Sequence, residues 1–170
     1  MTKSQCYNEI ARNKQLISQY QNEINKLNKE INELNATKKK LSTLKDTLAD
    51  CKSKSINRLS NTNSVMKINS KIVNKFYSNM NELIAGSEYF GIYNGLSNGL
   101  SRVLEEIATK KNQISRLQRK IENCYSEISN LNNTIKNIEI REAEEARRKA
   151  EEARRKAEEA RQKAQESGAW

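Results

Sequence analysis

The sequence predicts an all-α fold, an elongated antiparallel helical hairpin or coiled coil that ends in a long Ala/Glu/Arg heptad tail helix. Three observations lead there. The 170 residues contain no Pro, the strongest helix breaker. Only 35% are apolar while 31% are charged, too little apolar material for a round core but enough for narrow stripes along helices. Those apolar residues also recur in alternating steps of three and four, the spacing of a coiled-coil seam.

The first arm is assigned to residues 5–85. Ile10, Ile17, Ile24 and Ile31 form one seam row, and Tyr20, Leu27, Leu34, Leu41 and Leu48 form the other. Lys38 interrupts the first row and Asn13 occupies the second, polar seam positions that cost stability and set register. The Asn-rich composition of this arm lowers its intrinsic helicity, so it requires a partner along the seam. Residues 53–64, SKSINRLSNTNS, read as a kink or weak spot. Helical spacing resumes through Val65, Ile68, Ile72, Phe76, Met80 and Leu83.

Residues 86–99 are expected to form the hairpin tip. All but one of the chain's glycines gather there, and Asn94-Gly95 and Asn98-Gly99 are turn dipeptides. Each Gly inside a helix costs about 1 kcal/mol relative to Ala, which argues for a reversal. Gly91, Gly95 and Gly99 also lie four apart, so a closely packed helical tip is the alternative. The neighbouring Tyr89, Phe90 and Tyr93 would close the hairpin core or present a docking patch.

The second arm, 100–140, starts near Leu100 with Ser101 as a candidate cap. Ile107, Ile114, Ile121, Ile128 and Ile135 make one row. Val103, Leu117, Cys124, Leu131 and Ile138 make the other, with Lys110 as the exception. An alternative register pairs 10–51 directly with 100–140 and leaves 56–85 to fold separately. The tail, 141–166, repeats AEEARRK and aligns Ala143, Ala146, Ala150, Ala153, Ala157, Ala160 and Ala164 on a narrow seam. Glu144 and Arg148, and Glu145 and Lys149, are spaced as stabilising pairs. The tail is either a solvated single helix or a thin partner of the first arm; Gly168 would stop it, leaving Trp170 exposed.

Chemistry finds little footing. There is no His, no phosphate-binding Gly loop and no nucleophile elbow, so no catalytic residue, metal site or cofactor is assigned. Cys6, Cys51 and Cys124 are odd in number and far apart; Cys51 and Cys124 fall on apolar helical positions as small hydrophobes. The net charge of +10 is concentrated in residues 1–60, with Lys38-Lys39-Lys40 as the one dense spot. That distribution implies weak, non-specific nucleic-acid adhesion or a handle for an acidic partner. The polar first twenty residues lack a signal-peptide core and no segment is apolar enough for membrane insertion, so a cytoplasmic location, or export without a cleaved signal, is expected. The seam residues Ile10, Ile17, Ile24, Leu27, Ile31, Leu34, Leu41, Ile107, Ile114, Leu117, Ile121, Ile128, Leu131 and Ile135 are the candidate interaction surface, and homo-oligomers are expected.

The layout resembles the YwqH-like, WXG-related helical hairpins of Gram-positive type VII secretion. Tyr89-Phe90-Gly91 stands where that family carries Trp-x-Gly at its turn, between an arm with LNKEINELNATKKKL and one with QISRLQRKI. Tyr replaces the Trp, and the family's export motif, Tyr followed four residues later by an acid, is absent. The resemblance implies a non-enzymatic adaptor or chaperone-like partner for a helical client, such as the N-terminal region of an LXG toxin. A structural homo-oligomeric coiled coil is the competing expectation.

Overall fold

The computed structural model describes residues 1–66 and 70–168, and their side chains apart from those of 63–66, 164, 166 and 167. Ile68, Trp170 and the side chains of Val65 and Ala164 therefore lie outside the described residues. Among the described residues the fold is an all-α hairpin of three helices: α1 (Lys3–Met66), α2 (Lys71–Ala85) and α3 (Ser87–Ser167). No strand occurs among the described residues.

Local signals set the ends of these helices. Thr2 and Gln5 form a reciprocal cap at the start of α1: the Gln5 amide donates to Thr2 Oγ1 at 3.3 Å, and the Thr2 amide donates to Gln5 Oε1 at 2.8 Å. Ser70 caps α2, its hydroxyl accepting from the Ile72 amide at 3.3 Å. Gly86 ends α2 in an extended conformation, its amide bonded to the Glu82 carbonyl at 2.7 Å. A Cβ at Gly86 would fall on the Glu82 carbonyl oxygen and carboxylate, so this bend needs glycine. The same carboxylate accepts from the Ser87 amide at 3.4 Å and so answers one of the unpaired donors that open α3.

Helix α1 runs through residues 53–64 to Met66, and Thr62 keeps its hydroxyl on the Arg58 carbonyl, four residues back. One expectation about the chain's path is corrected. The tip is not at 86–99: Tyr89, Phe90, Gly91, Tyr93, Gly95 and Gly99 all lie inside α3, and Ser101 is a helix-interior residue. The direction instead reverses between α1 and α2. Ile56, Leu59 and Ser60 share a groove with Tyr77, Ser78 and Asn81, so α2 already runs back along α1. The glycines are tolerated in the helix because the segment returns along α1, whose contacts outweigh their poor propensity.

The chain forms two compact units, residues 1–21 with 117–170 and residues 22–116. Each is antiparallel. In the first, Lys3 meets Glu139 and Glu142, while Tyr20 meets Lys120. In the second, Glu30 meets Lys110, Lys45 meets Tyr93, and Lys52 meets Tyr89. In the second unit α2 and the first part of α3 together make the arm that returns along α1, so residues 56–85 do not fold separately from it.

Candidate interaction surface

Antiparallel pairing turns the seam rows inward. Ile10, Ile24, Leu27, Ile31, Ile107, Leu117 and Ile135 are buried; Ile17, Leu34, Leu41, Ile114, Ile121, Ile128 and Leu131 are half-buried. In the first unit, Cys6, Ile10 and Ile135 form a buried cluster with Ile128 and Leu131 packed against it. Cys6 and Cys124 behave as small buried hydrophobes, but Cys51 is exposed, which corrects its assignment to an apolar position. It falls where lysines packed on aromatic rings replace the Ile/Leu rows. Asn13, in the second row, is buried at the edge of a groove lined by Glu9, Glu127, Asn130 and Leu131. No buried side-chain nitrogen or oxygen lacks a hydrogen-bond partner among the described residues.

Lys110, the apparent exception in the second row, has a specific partner. Its ammonium lies 2.8 Å from Glu30 across the hairpin and 3.2 Å from Glu106 one turn back on α3. Hydrogen bonds to Glu30 and then Glu106 raise the Lys110 pKa, and the bond from Lys110 holds the Glu30 carboxyl below its ordinary value. A charge at a seam position is thus answered across the hairpin, with Glu30 opposite Lys110 in the observed pairing. Glu30 was not singled out in the sequence because it lies outside both apolar rows. The same holds for Lys3, whose pKa is raised chiefly by its 2.7 Å hydrogen bond to Glu142.

The aromatics of 89–93 are also accounted for. Lys52 lies 4.2 Å from the Tyr89 ring centre and 4.7 Å from that of Phe90; Lys45 lies 4.6 Å from that of Tyr93. Tyr89 and Tyr93 stack with centroids 5.9 Å apart, one turn apart on α3. Lysines on α1 thus cover the ring faces and lay their methylene stems over apolar surface. Gly99 approaches α1 closely, its Cβ direction 3.7 Å from Leu41 Cδ1, whereas Gly91 and Gly95 face open space.

Beyond Glu142 the character of α3 changes. Every residue from Arg141 to Lys163 is exposed, including the alanines at 143, 146, 150, 153, 157 and 160. The Glu145–Lys149 pair forms at 2.8 Å, supporting the helix from its own surface. The heptad Ala row is therefore uncovered, and Gly168 follows the end of the helix as a turn residue. Lys38, Lys39 and Lys40 are likewise exposed.

The sequence model of the alanine-zipper family, described as major outer membrane lipoprotein, matches residues 112–169. The similarity runs from the seam part of α3 through the whole tail. No curated protein and no solved structure matches the chain. Among the described residues no group of His, Cys, Asp and Glu is placed to hold a metal ion. No helix there is long and apolar enough to cross a membrane. The molecule is a coiled-coil helical protein whose Ile/Leu seam is occupied by its own second arm.

Proposed function

We propose that the protein is a non-catalytic structural coiled coil that assembles with copies of itself through its tail. The observation that carries this reading is the exposed heptad row of alanines on α3. Ala at both seam positions lets backbones approach closely. Each side chain buries little, so the row gains only when several copies align it over its whole length. The Glu and Arg/Lys positions beside the row are spaced to pair between as well as within helices. Similarity of residues 112–169 to an alanine-zipper family supports the same use of this surface.

Sedimentation equilibrium of the full chain tests this. A mass that is a whole multiple of the 19.6 kDa chain is expected, falling to one chain when Ala150 and Ala157 are both replaced by Glu. A wild-type monomer at tens of micromolar, or an unchanged assembly in the double variant, refutes it.

A second reading, an adaptor or chaperone-like partner for a helical client, is the one implied by the resemblance to type VII secretion hairpins. It is favoured by Leu44 and Leu104, large apolar residues left exposed in the second unit. Such a client would have to use surface outside the buried rows or displace α3. Its test is recovery of one helical protein in fixed ratio with the full chain, lost when Leu44 and Leu104 become Ser. Recovery of the chain alone leaves the homo-oligomer.

A further inference from the structure

α2 has more apolar surface than α1 covers. Val73, Tyr77, Met80 and Ile84 recur on the half-buried face of this helix. Beside them Ile72, Phe76 and Leu83 form a second row, spaced four and seven apart and therefore on one edge. Their exposures are 80%, 57% and 64%, so this row stands open among the described residues.

Charge around the row is segregated. From Cys51 to Met66 α1 carries Lys52, Lys54 and Arg58 and no carboxylate, and α2 opens with Lys71 and Lys75. Lys52 is engaged with aromatic rings and Lys54 pairs with Asp50 at 2.7 Å. Arg58, Lys71 and Lys75 make no ion pair among the described residues. The acids Glu82 and Glu88 stand at the other end of α2, near Leu83. The exposed row thus has a basic end at Ile72 and Phe76 and an acidic end at Leu83.

The geometry points to an anionic lipid surface as the occupant of this row. A helix lying in a membrane interface needs an apolar strip beside cations that reach the phosphates, which Ile72 and Phe76 with Lys71 and Lys75 supply. α2 keeps its inner face on α1, so only the outer strip enters the headgroup layer, and nothing crosses the bilayer. The charge gradient tilts α2, with the Ile72–Phe76 end deeper than the Leu83 end. A second copy fits less well. A stable pair buries roughly 1,200 Å² or more, and three side chains on a 15-residue helix cover only a fraction of that.

The test is cosedimentation of the full chain with phosphatidylcholine vesicles containing phosphatidylglycerol, against vesicles of phosphatidylcholine alone, with helicity followed by circular dichroism. Binding to the anionic vesicles only is expected. It should weaken roughly ten-fold or more in Ile72→Ser/Phe76→Ser, less in Leu83→Ser, and strongly in Lys71→Glu/Lys75→Glu. Equal binding by Ile72→Ser/Phe76→Ser would mean that the overall +10 charge adsorbs without the row, and would overturn the proposal. Absence of binding at low salt would overturn it too. So would a fall in the lipid-free oligomer mass of Ile72→Ser/Phe76→Ser, which would assign the row to a second copy.

Discussion

Replacing Gly91 and Gly95 by Ala distinguishes a helical segment from a turn at these positions. Both lie inside α3, and a Cβ added at either meets no other atom within 4 Å. No packing is gained or lost, so the effect reduces to backbone entropy. Gly is about 1 kcal/mol less favourable than Ala in a helix interior, so the double variant should be more stable by about 2 kcal/mol. For a chain of this length that corresponds to a rise of roughly 4–8 °C in Tm. Urea and thermal unfolding followed by circular dichroism measure it directly. Gly86→Ala is the internal control, because its Cβ would strike the Glu82 carbonyl oxygen and carboxylate. It should lose roughly 1–3 kcal/mol. A turn at 91–95 with left-handed glycines would reverse the sign, since Ala there is strained. A double variant less stable than wild type would therefore refute the helical assignment and restore the reversal at 86–99.

Other outcomes follow from the same contacts. Leu27→Ala should cost about 2 kcal/mol in urea unfolding, the low end for a buried Leu because a two-helix seam relaxes readily. Leu44→Ala, at an exposed site, should cost little. Ser70→Ala should destabilise α2 by about 1 kcal/mol, seen as faster hydrogen exchange at Ile72 and Asn74. The Glu30–Lys110 pair sets a pH window. Glu30 has a depressed folded pKa, so its contribution is present above its ordinary value of 4.5 and is lost as pH falls through the folded value. Lys110 has a raised one, so its contribution is complete below 10.5 and is lost as pH rises through its folded value. The stability difference between wild type and Glu30→Gln should therefore be constant near neutrality and shrink at strongly acid pH. A difference that persists unchanged in acid would show that the pair is not its source.

Much of the fold was legible from periodicity. Residues Ile10 to Leu41 and Ile107 to Ile135 repeat at helical spacing, and apolar side chains at that spacing can be buried only along a second helix. Composition was equally direct about the tail, whose alanines and Glu–cation pairs sustain a helix without tertiary contacts. The connection between arms was not legible in this way. The glycines at 91, 95 and 99 signal a turn by local preference, yet α3 passes straight through them, because burial along α1 outweighs a penalty of about 1 kcal/mol each. Helical periodicity states which side chains face a partner but leaves the offset between partners open by any number of heptads. The observed offset is the one that brings together Glu30 with Lys110 and Lys52 with Tyr89, pairs distant in sequence that no local pattern marks. The sequence alone therefore determined a helical protein with a coiled-coil seam and a self-supporting tail. The tertiary structure decided the place of reversal and the register, and with them which apolar rows stay covered and which remain open.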